Sequence, residues 1–577
     1  MTVRDGYMDE SSDRLGWRGV VAVVVFGLSL YLIGLGGDVW VLTQHEVFAA
    51  QPAREMLRDG HWIIQTFGGL PRLNKPPTMG WIIALFITCF QSEAEWVVRL
   101  PSVLAGIGLA VAMAAVGARY LGRTAGIATG LCQLTFYYVL KQARLAEADM
   151  LLGLVVGVAM WASLNRPRAA IVIIWICVGF ATLLKGPLGP AVIGCAVVAQ
   201  MVVARFLTER ASVDRTPRTA HLAGGAPIAS SARSNARRRI VSHVIGGTVC
   251  LAIILPWPIL AYLQNPEIGL IGLRETAGRF RGEMGGREPW YFYFIQIPLA
   301  LLPWTPLAIF GSVLLARRHR QLFKHLACWF LPGLAILSFS AWKHLHYAIP
   351  ILPGLSIVAA IGMVQFMRWA STRPTWSRQL AAVLWVTGCA AVGWLVTRHV
   401  PRLGQASTVL LGVVAVGGLI ALWREHQRDL PGQMAATFAT AWMVLVGTQL
   451  LIMPRFDGYR PSAEFAGRVS HHAGADVDAP VYFFKTGEAH AIYYIQRSVA
   501  RIETDALPKI QRALHNSPTG EIEIVVRETD LARLRSIGTV VKLDAASIPQ
   551  KAALWFVRLI QPKTDSMPSR DDQVVDP

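Results

Sequence analysis

The chain reads as a polytopic α-helical membrane protein of about thirteen transmembrane helices. Amphipathic helices are expected in its first outer loop and an extracytoplasmic α/β domain at its C-terminus. Three observations predict this class. Of 577 residues, 53% are hydrophobic and only 16% charged, with a mean hydropathy of +0.42, where soluble domains carry about 25% charged residues. Apolar runs near one bilayer thickness recur from residue 18 to residue 453. After Pro454 the pattern changes to short β-like runs alternating with helical ones.

Residues 1–17 form a polar N-terminus, read as cytoplasmic. The run that follows is read as an uncleaved first span, because no small-x-small cleavage site comes after it. Spans are predicted at 18–38, 99–118, 124–142, 149–164, 169–184, 188–205, 241–262, 293–315, 325–341, 347–366, 380–397, 405–423 and 434–453. Orientation follows from arginine and lysine. "RYLGR" (119–123), "NRPR" (165–168), "RRHRQLFK" (317–324) and the basic loop 205–240 fall on one side, which the positive-inside bias makes cytoplasmic. The first outer loop, 39–98, holds a helix over 46–58 and a short apolar segment, 79–90, read as interfacial or re-entrant. Residues 454–562 read as a small α/β domain, with strands at "APVYFF" and "IEIVV", and 563–577 as a disordered tail.

The net charge of +19 does not mark a nucleic-acid binder, because no recognition motif is present and the cations sit in short loops between apolar runs. The seven cysteines all lie in apolar stretches without a CxxC pair and read as small buried hydrophobes.

Unusual polar groups collect in the outer loops. His45, Glu46, Arg54, Glu55 and Lys75 lie in the first, and Lys141, Arg144, Glu147 and Asp149 in the second. Lys185 ends a span, Arg274, Arg279 and Arg281 precede an aromatic cluster with Trp290 and Tyr291, and Lys343, His344, His346 and Tyr347 fall together. Singly, each has a structural explanation, since lysines snorkel and aromatic rings anchor at interfaces. Together they place cations outside, against the topological bias and among carboxylates. That combination suits a lipid-linked phosphate and a proton acceptor. A sugar on a polyprenyl phosphate already carries a good leaving group. Its transfer needs cations for the departing phosphate and a base for the attacking hydroxyl. One base opposite one leaving group implies inversion.

"HEVFAAQPAREML", "GLPRLNKPPTMGW", "RLPSVLAG", "ARLAEADMLL", "LLKGPLGP", "RFRGEMGGREPWYFYF" and "HYAIPILPGLSI" occur in this order. As an ordered set over residues 18–365 they resemble bacterial membrane glycosyltransferases of the GT-C class, of the lipid A aminoarabinose transferase and protein O-mannosyltransferase kind. The resemblance implies a GT-C type fold in the cytoplasmic (inner) membrane, a polyprenyl-monophosphate sugar donor, and chemistry on the outer face. By position, the family's acidic pair falls on His45-Glu46, so the commonly credited aspartate is a histidine here. Glu46 is then the remaining carboxylate for the acceptor's proton, with His45 a base in its own right. Asp149 matches the acidic residue of the second outer loop and joins Glu46 and His45 as an expected catalytic residue. Lys75, Arg54, Arg279, Lys185 and Lys343 are the expected phosphate cations, and Tyr347, His346, Trp290 and Tyr291 the expected lining.

The expected partners are a polyprenyl-phosphate sugar, membrane lipids, and a lipid, glycan or protein acceptor. No cofactor is firmly implied. His344 and His346 are weak support for a divalent metal. A glycolipid transporter or flippase is the alternative, disfavoured because charges gather at span ends and no repeat is visible. A catalytically impaired lipid-sugar receptor is the other. In the C-terminal domain, Glu488 and His490 of "KTGEAHAIYY" read as ordinary loop residues.

Overall fold

The computed structural model describes residues 15–73, 75–213, 228–281, 287–400, 403–472, 480–495, 497–503, 506–547 and 552–562. They form two compact units. The first comprises the described residues through Trp40, with His61–Gln65 and those of Arg72–Phe456. The second comprises Val41–Gly60, Thr66–Pro71 and the described residues from Asp457 onward. The division therefore does not run at Pro454 alone, because two pieces of the 39–98 segment group with the C-terminal part.

The first unit is helical, and all thirteen apolar runs fall on helices. Among the described residues, seven helices are long and apolar enough to cross a bilayer: Glu95–Leu121, Ala148–Asn165, Leu188–Phe206, Arg237–Gln264, Arg320–Phe339, Gln405–His426 and Leu430–Phe456. Two bent pairs, Phe292–Ala300 with Thr305–Arg318 (105°) and Leu345–Ile351 with Pro353–Ala370 (71°), raise the number to nine if each is one span. Thirteen spans is thus a finer count than helix length supports, since Gly16–Leu32 and Ala170–Lys185 are shorter than the roughly 20 residues a bilayer asks for. The run at 124–142 is also divided. Arg123–Thr135 stops at Phe136, whose backbone is extended, and Tyr137–Ala143 starts afresh. The 79–90 segment is a 13-residue helix, Thr78–Phe90.

Small residues set the closest crossing. A Cβ on Gly311 or Gly362 would overlap the carbonyl oxygens of Val358 or Leu307, so helices Thr305–Arg318 and Pro353–Ala370 meet backbone to backbone. That is the contact small residues permit in bundles without a hydrophobic drive. Two arginines tie down the chain after helix Gly16–Leu32. Arg144 donates to the carbonyls of Tyr31 (2.6 Å), Ile33 (2.8 Å) and Gly34 (2.7 Å). Arg99, almost wholly buried, donates to those of Leu35 (2.7 Å) and Trp40 (2.9 Å). Helix-end carbonyls lack intrahelical partners, and guanidinium forks supply them here.

In the second unit, helix Gln44–Asp59 starts with a reciprocal capping box between Thr43 and Glu46 and stops at Gly60, whose φ is +76°. Strands β1 (Thr66–Phe67) and β2 (Leu70–Pro71) form a hairpin over Gly68-Gly69, both at positive φ. Buried Glu55 holds it to the helix, accepting from Gln51 Nε2 (2.7 Å), Thr66 Oγ1 (2.5 Å) and Gly68 N (2.7 Å). The C-terminal part is a mixed five-stranded sheet of β3 (Val481–Phe484), β4 (Val499–Ile502), β5 (Glu521–Arg527), β6 (Thr539–Ala546) and β7 (Leu554–Ile560), ordered β4-β3-β5-β7-β6. β3 pairs in parallel with β4 and β5, and β7 runs antiparallel to β5 and β6. β5 is buried at five successive positions, as a strand covered on both faces requires. Ile510, Leu514, Ile524, Val526, Val557 and Leu559 carry its core.

Candidate functional site

Five of the expected residues meet in the first unit. Asp149 lies in the first turn of helix Ala148–Asn165, and Lys185 ends helix Ala170–Lys185, each where the helix dipole favours its charge. Their side chains form a buried ion pair. The Lys185 ammonium also stands 4.8 Å from the centre of the Tyr347 ring, a cation–π contact. The His346 ring packs edge-on to Tyr347 at 4.5 Å and lies nearly parallel to His344 at 5.1 Å. Lys185, His346 and Lys75 all act electrostatically on Asp149. The loop bearing Lys75 is fastened by Gln65 Nε2, which donates to the Lys75 carbonyl at 2.9 Å. Lysine ammonium groups of this kind are the donors that an anionic ligand needs.

Lys343 is spent differently. Its ammonium, in a residue only 4% exposed, donates to the backbone carbonyls of Glu288 (3.0 Å) and Ser340. Burial pulls it below the ordinary lysine range, with the Glu288 carboxylate opposing. Trp290 and Tyr291 stack edge to face at 5.8 Å and are strongly exposed, 68% and 46%, ahead of helix Phe292–Ala300. Such exposure suits an interfacial aromatic anchor. Arg279 falls within helix Glu267–Arg281, but its side chain lies outside the described residues.

The other three expected residues belong to the second unit. Glu46 is fully buried and accepts from the Thr43 N–H at 2.8 Å, so it has a structural task at the helix start. His45, one residue earlier, is exposed. Arg54 donates to the Tyr493 carbonyl at 2.6 Å and lies 4.2 Å over the Tyr493 ring. Glu488 and His490, read as loop residues, are buried instead. His490 stacks on Tyr459 at 4.1 Å, with Glu488 3.6 Å from its Nδ1. Among the described residues no group of three or more His, Cys, Asp or Glu is arranged to hold a metal ion.

Residues 74–229 match the dolichyl-phosphate-mannose-protein mannosyltransferase family model, and 281–403 the Alg9-like mannosyltransferase family. An undecaprenyl phosphate-alpha-4-amino-4-deoxy-L-arabinose arabinosyl transferase of Pseudomonas paraeruginosa is 26% identical over 436 residues, 73% of this chain and 74% of the relative. Its namesake in Pseudomonas savastanoi pv. phaseolicola is 26% identical over 364 residues, 60% of this chain and 62% of the relative. The crystal structure of ArnT from Cupriavidus metallidurans bound to undecaprenyl phosphate superposes with a TM-score of 0.68 at 18% identity, covering 93% of this chain and 96% of that one. The chain resembles the GT-C membrane glycosyltransferases. It shares the ArnT fold, and both matched models and the named relatives are sugar transferases, so the likeness is to multi-pass membrane enzymes.

Sequence reasoning passed over Arg99, whose guanidinium is among the largest fully buried groups. It also passed over Tyr494 and Asp457, which reach back more than four hundred residues. Nothing local marks such contacts. Glu46 is different, because "TQHE" is itself the Thr-x-x-Glu capping signature.

Proposed function

We propose that the chain is an inverting glycosyltransferase, moving a sugar from a polyprenyl-phosphate donor to an acceptor hydroxyl on the outer face of the cytoplasmic membrane. The observation that carries this reading is the grouping of Lys185, Lys75, His346 and Tyr347 around Asp149. In it, Lys75 and Lys185 hold the donor phosphate, and Asp149 holds the Lys185 ammonium in place. The acceptor oxygen bonds to the anomeric carbon as the carbon–oxygen bond to phosphate breaks. The bonding pair leaves on the phosphate, whose growing charge the lysines offset, and the acceptor's proton passes to a base. The resemblance gives that base to the His45-Glu46 pair. Exposed His45 suits the part better than Glu46, which is buried and bound to the Thr43 N–H. Arg54 and Lys343, tied to backbone carbonyls, act here by positioning.

The relatives' names make undecaprenyl-phosphate 4-amino-4-deoxy-L-arabinose the first donor to try. The N-terminus is cytoplasmic in this reading, and an odd number of spans puts the C-terminal sheet outside. Purified protein in detergent, given labelled polyprenyl-phosphate sugars and membrane extract as acceptor source, is expected to cleave the sugar–phosphate bond with inverted anomeric configuration. Lys75→Ala and Lys185→Ala should lose donor binding. His45→Ala should keep it and lose about 10²–10⁴-fold in turnover. Tight donor binding without cleavage, whatever the acceptor, would sink the enzyme reading in favour of a transporter or receptor.

A further inference from the structure

Four backbone N–H groups at the start of helix Gln44–Asp59 are each held by a side chain. Thr43 N–H is taken by Glu46 and Glu46 N–H by Thr43, which completes the cap. Leu42 N–H donates to the hydroxyl of Tyr494 at 2.9 Å, and Val41 N–H to Asp457 Oδ2 at 3.1 Å. The last two lie before the helix and are not needed to start it. Their acceptors lie 452 and 416 residues away in the sequence. Leu42 and Val41 are buried residues, and these two bonds satisfy N–H groups of the chain as it enters the helix. Farther along the same helix, Arg54 grips the neighbouring residue, through the Tyr493 carbonyl and ring. The hairpin is held as well, since Arg501 N–H donates to the Gly68 carbonyl at 3.0 Å and its guanidinium lies 5.5 Å over Phe67.

We infer that Tyr494 and Asp457 are positioning residues, clamping the chain that leads into helix Gln44–Asp59 and so fixing where its first turn presents His45. The inference rests on the glycosyltransferase reading, because it makes the C-terminal part a holder for the helix that bears the base. A helix that needed only stability is already capped by Thr43 and Glu46. The extra pair constrains the path of the chain, and general-base chemistry is sensitive to errors in placement of about an ångström. Asp457 has a second contact, with Arg460 at 3.2 Å, which holds its carboxylate in turn.

The test uses the full chain in detergent, with Tyr494→Phe, Asp457→Ala and Asp457→Asn. Turnover per folded molecule should fall roughly 10- to 100-fold in Tyr494→Phe and Asp457→Ala. Donor affinity should stay within about twofold, since the cations around Asp149 are untouched. Asp457→Asn keeps an acceptor oxygen for Val41 N–H and should restore turnover toward wild type. Amide exchange across residues 41–46 should quicken in Tyr494→Phe. Unchanged turnover in Tyr494→Phe, or a loss matched by donor affinity or folded fraction, overturns the inference. If wild type cleaves no donor, the enzyme reading has failed on its own account. Exchange then decides alone, quickened exchange upholding the clamp and unchanged exchange overturning it.

Discussion

Replacing Lys185 with methionine strands the Asp149 carboxylate. The two side chains are 12% and 7% exposed, so water screens little of the pair. Removing one member of a buried pair costs about 3–5 kcal/mol, most of it the burden of the charge left behind. Lys75 and His346 also act on Asp149 and absorb part of that burden, so a loss near the lower end, about 3 kcal/mol, is expected. Adding Asp149→Asn removes the stranded charge, and the double variant should recover all but about 1 kcal/mol. Donor binding should not follow stability. Neutralising Asp149 cannot replace the lost ammonium, so Lys185→Met and the double variant should bind donor about equally poorly. Thermal unfolding in detergent for the wild type, both singles and the double, run as a cycle beside donor titrations, separates the two effects. A Lys185→Met cost under about 1 kcal/mol would refute the buried-pair reasoning. Donor affinity that returned together with stability in the double would refute Lys185 as a phosphate ligand.

Glu46→Gln should keep both stability and turnover, because glutamine also closes a capping box, whereas Glu46→Ala should lose about 0.5–2 kcal/mol in unfolding measurements; a Glu46→Gln variant that folds but does not turn over would return the base to Glu46. Lys343 has its folded-state pKa pulled below the unfolded value of about 10.4. At pH below the folded value both states hold the proton and the fold carries the penalty of burying it. Stability should therefore rise as pH climbs toward the unfolded value, so wild type should gain melting temperature over that alkaline range relative to Lys343→Met. Gly311→Leu should disrupt the bundle, since its side chain has no room beside the Val358 carbonyl; a loss of at least about 1–3 kcal/mol, or failure to recover folded protein, is the outcome to look for by size-exclusion and thermal unfolding.

The grouping of side chains in the first unit is legible in the sequence because it breaks a rule. Lysines and arginines are expected on the cytoplasmic side of short loops, so Lys75, Lys185 and His346 among carboxylates in loops that read as outer call for a reason, and the structure brings them around Asp149. Where a residue obeys a second rule as well, the reading went less far. Glu46 drew attention as a carboxylate beside an apolar run, yet the same four letters, "TQHE", spell a capping box, and the bond to Thr43 N–H is what the structure shows. Hydropathy reported composition correctly and geometry poorly. It cannot see the 105° turn between Ala300 and Thr305, nor that Phe136 interrupts a run of apolar letters.

The contacts that no pattern announces are those of Tyr494 and Asp457, and they bear on why a C-terminal sheet accompanies this helical bundle at all. A sheet that merely followed the last helix could be lost without consequence for residues 41–60. Instead its compact unit includes that helix and the hairpin after it. A tyrosine hydroxyl, an aspartate and a backbone carbonyl satisfy groups that the helix cannot satisfy for itself. Deleting residues 457–577 therefore removes the acceptors that Asp457 and Tyr494 offer to the Val41 and Leu42 N–H groups, at roughly 0.5–1.5 kcal/mol for each hydrogen bond lost. Such a truncation should unsettle the first-loop helix even where the membrane helices still assemble.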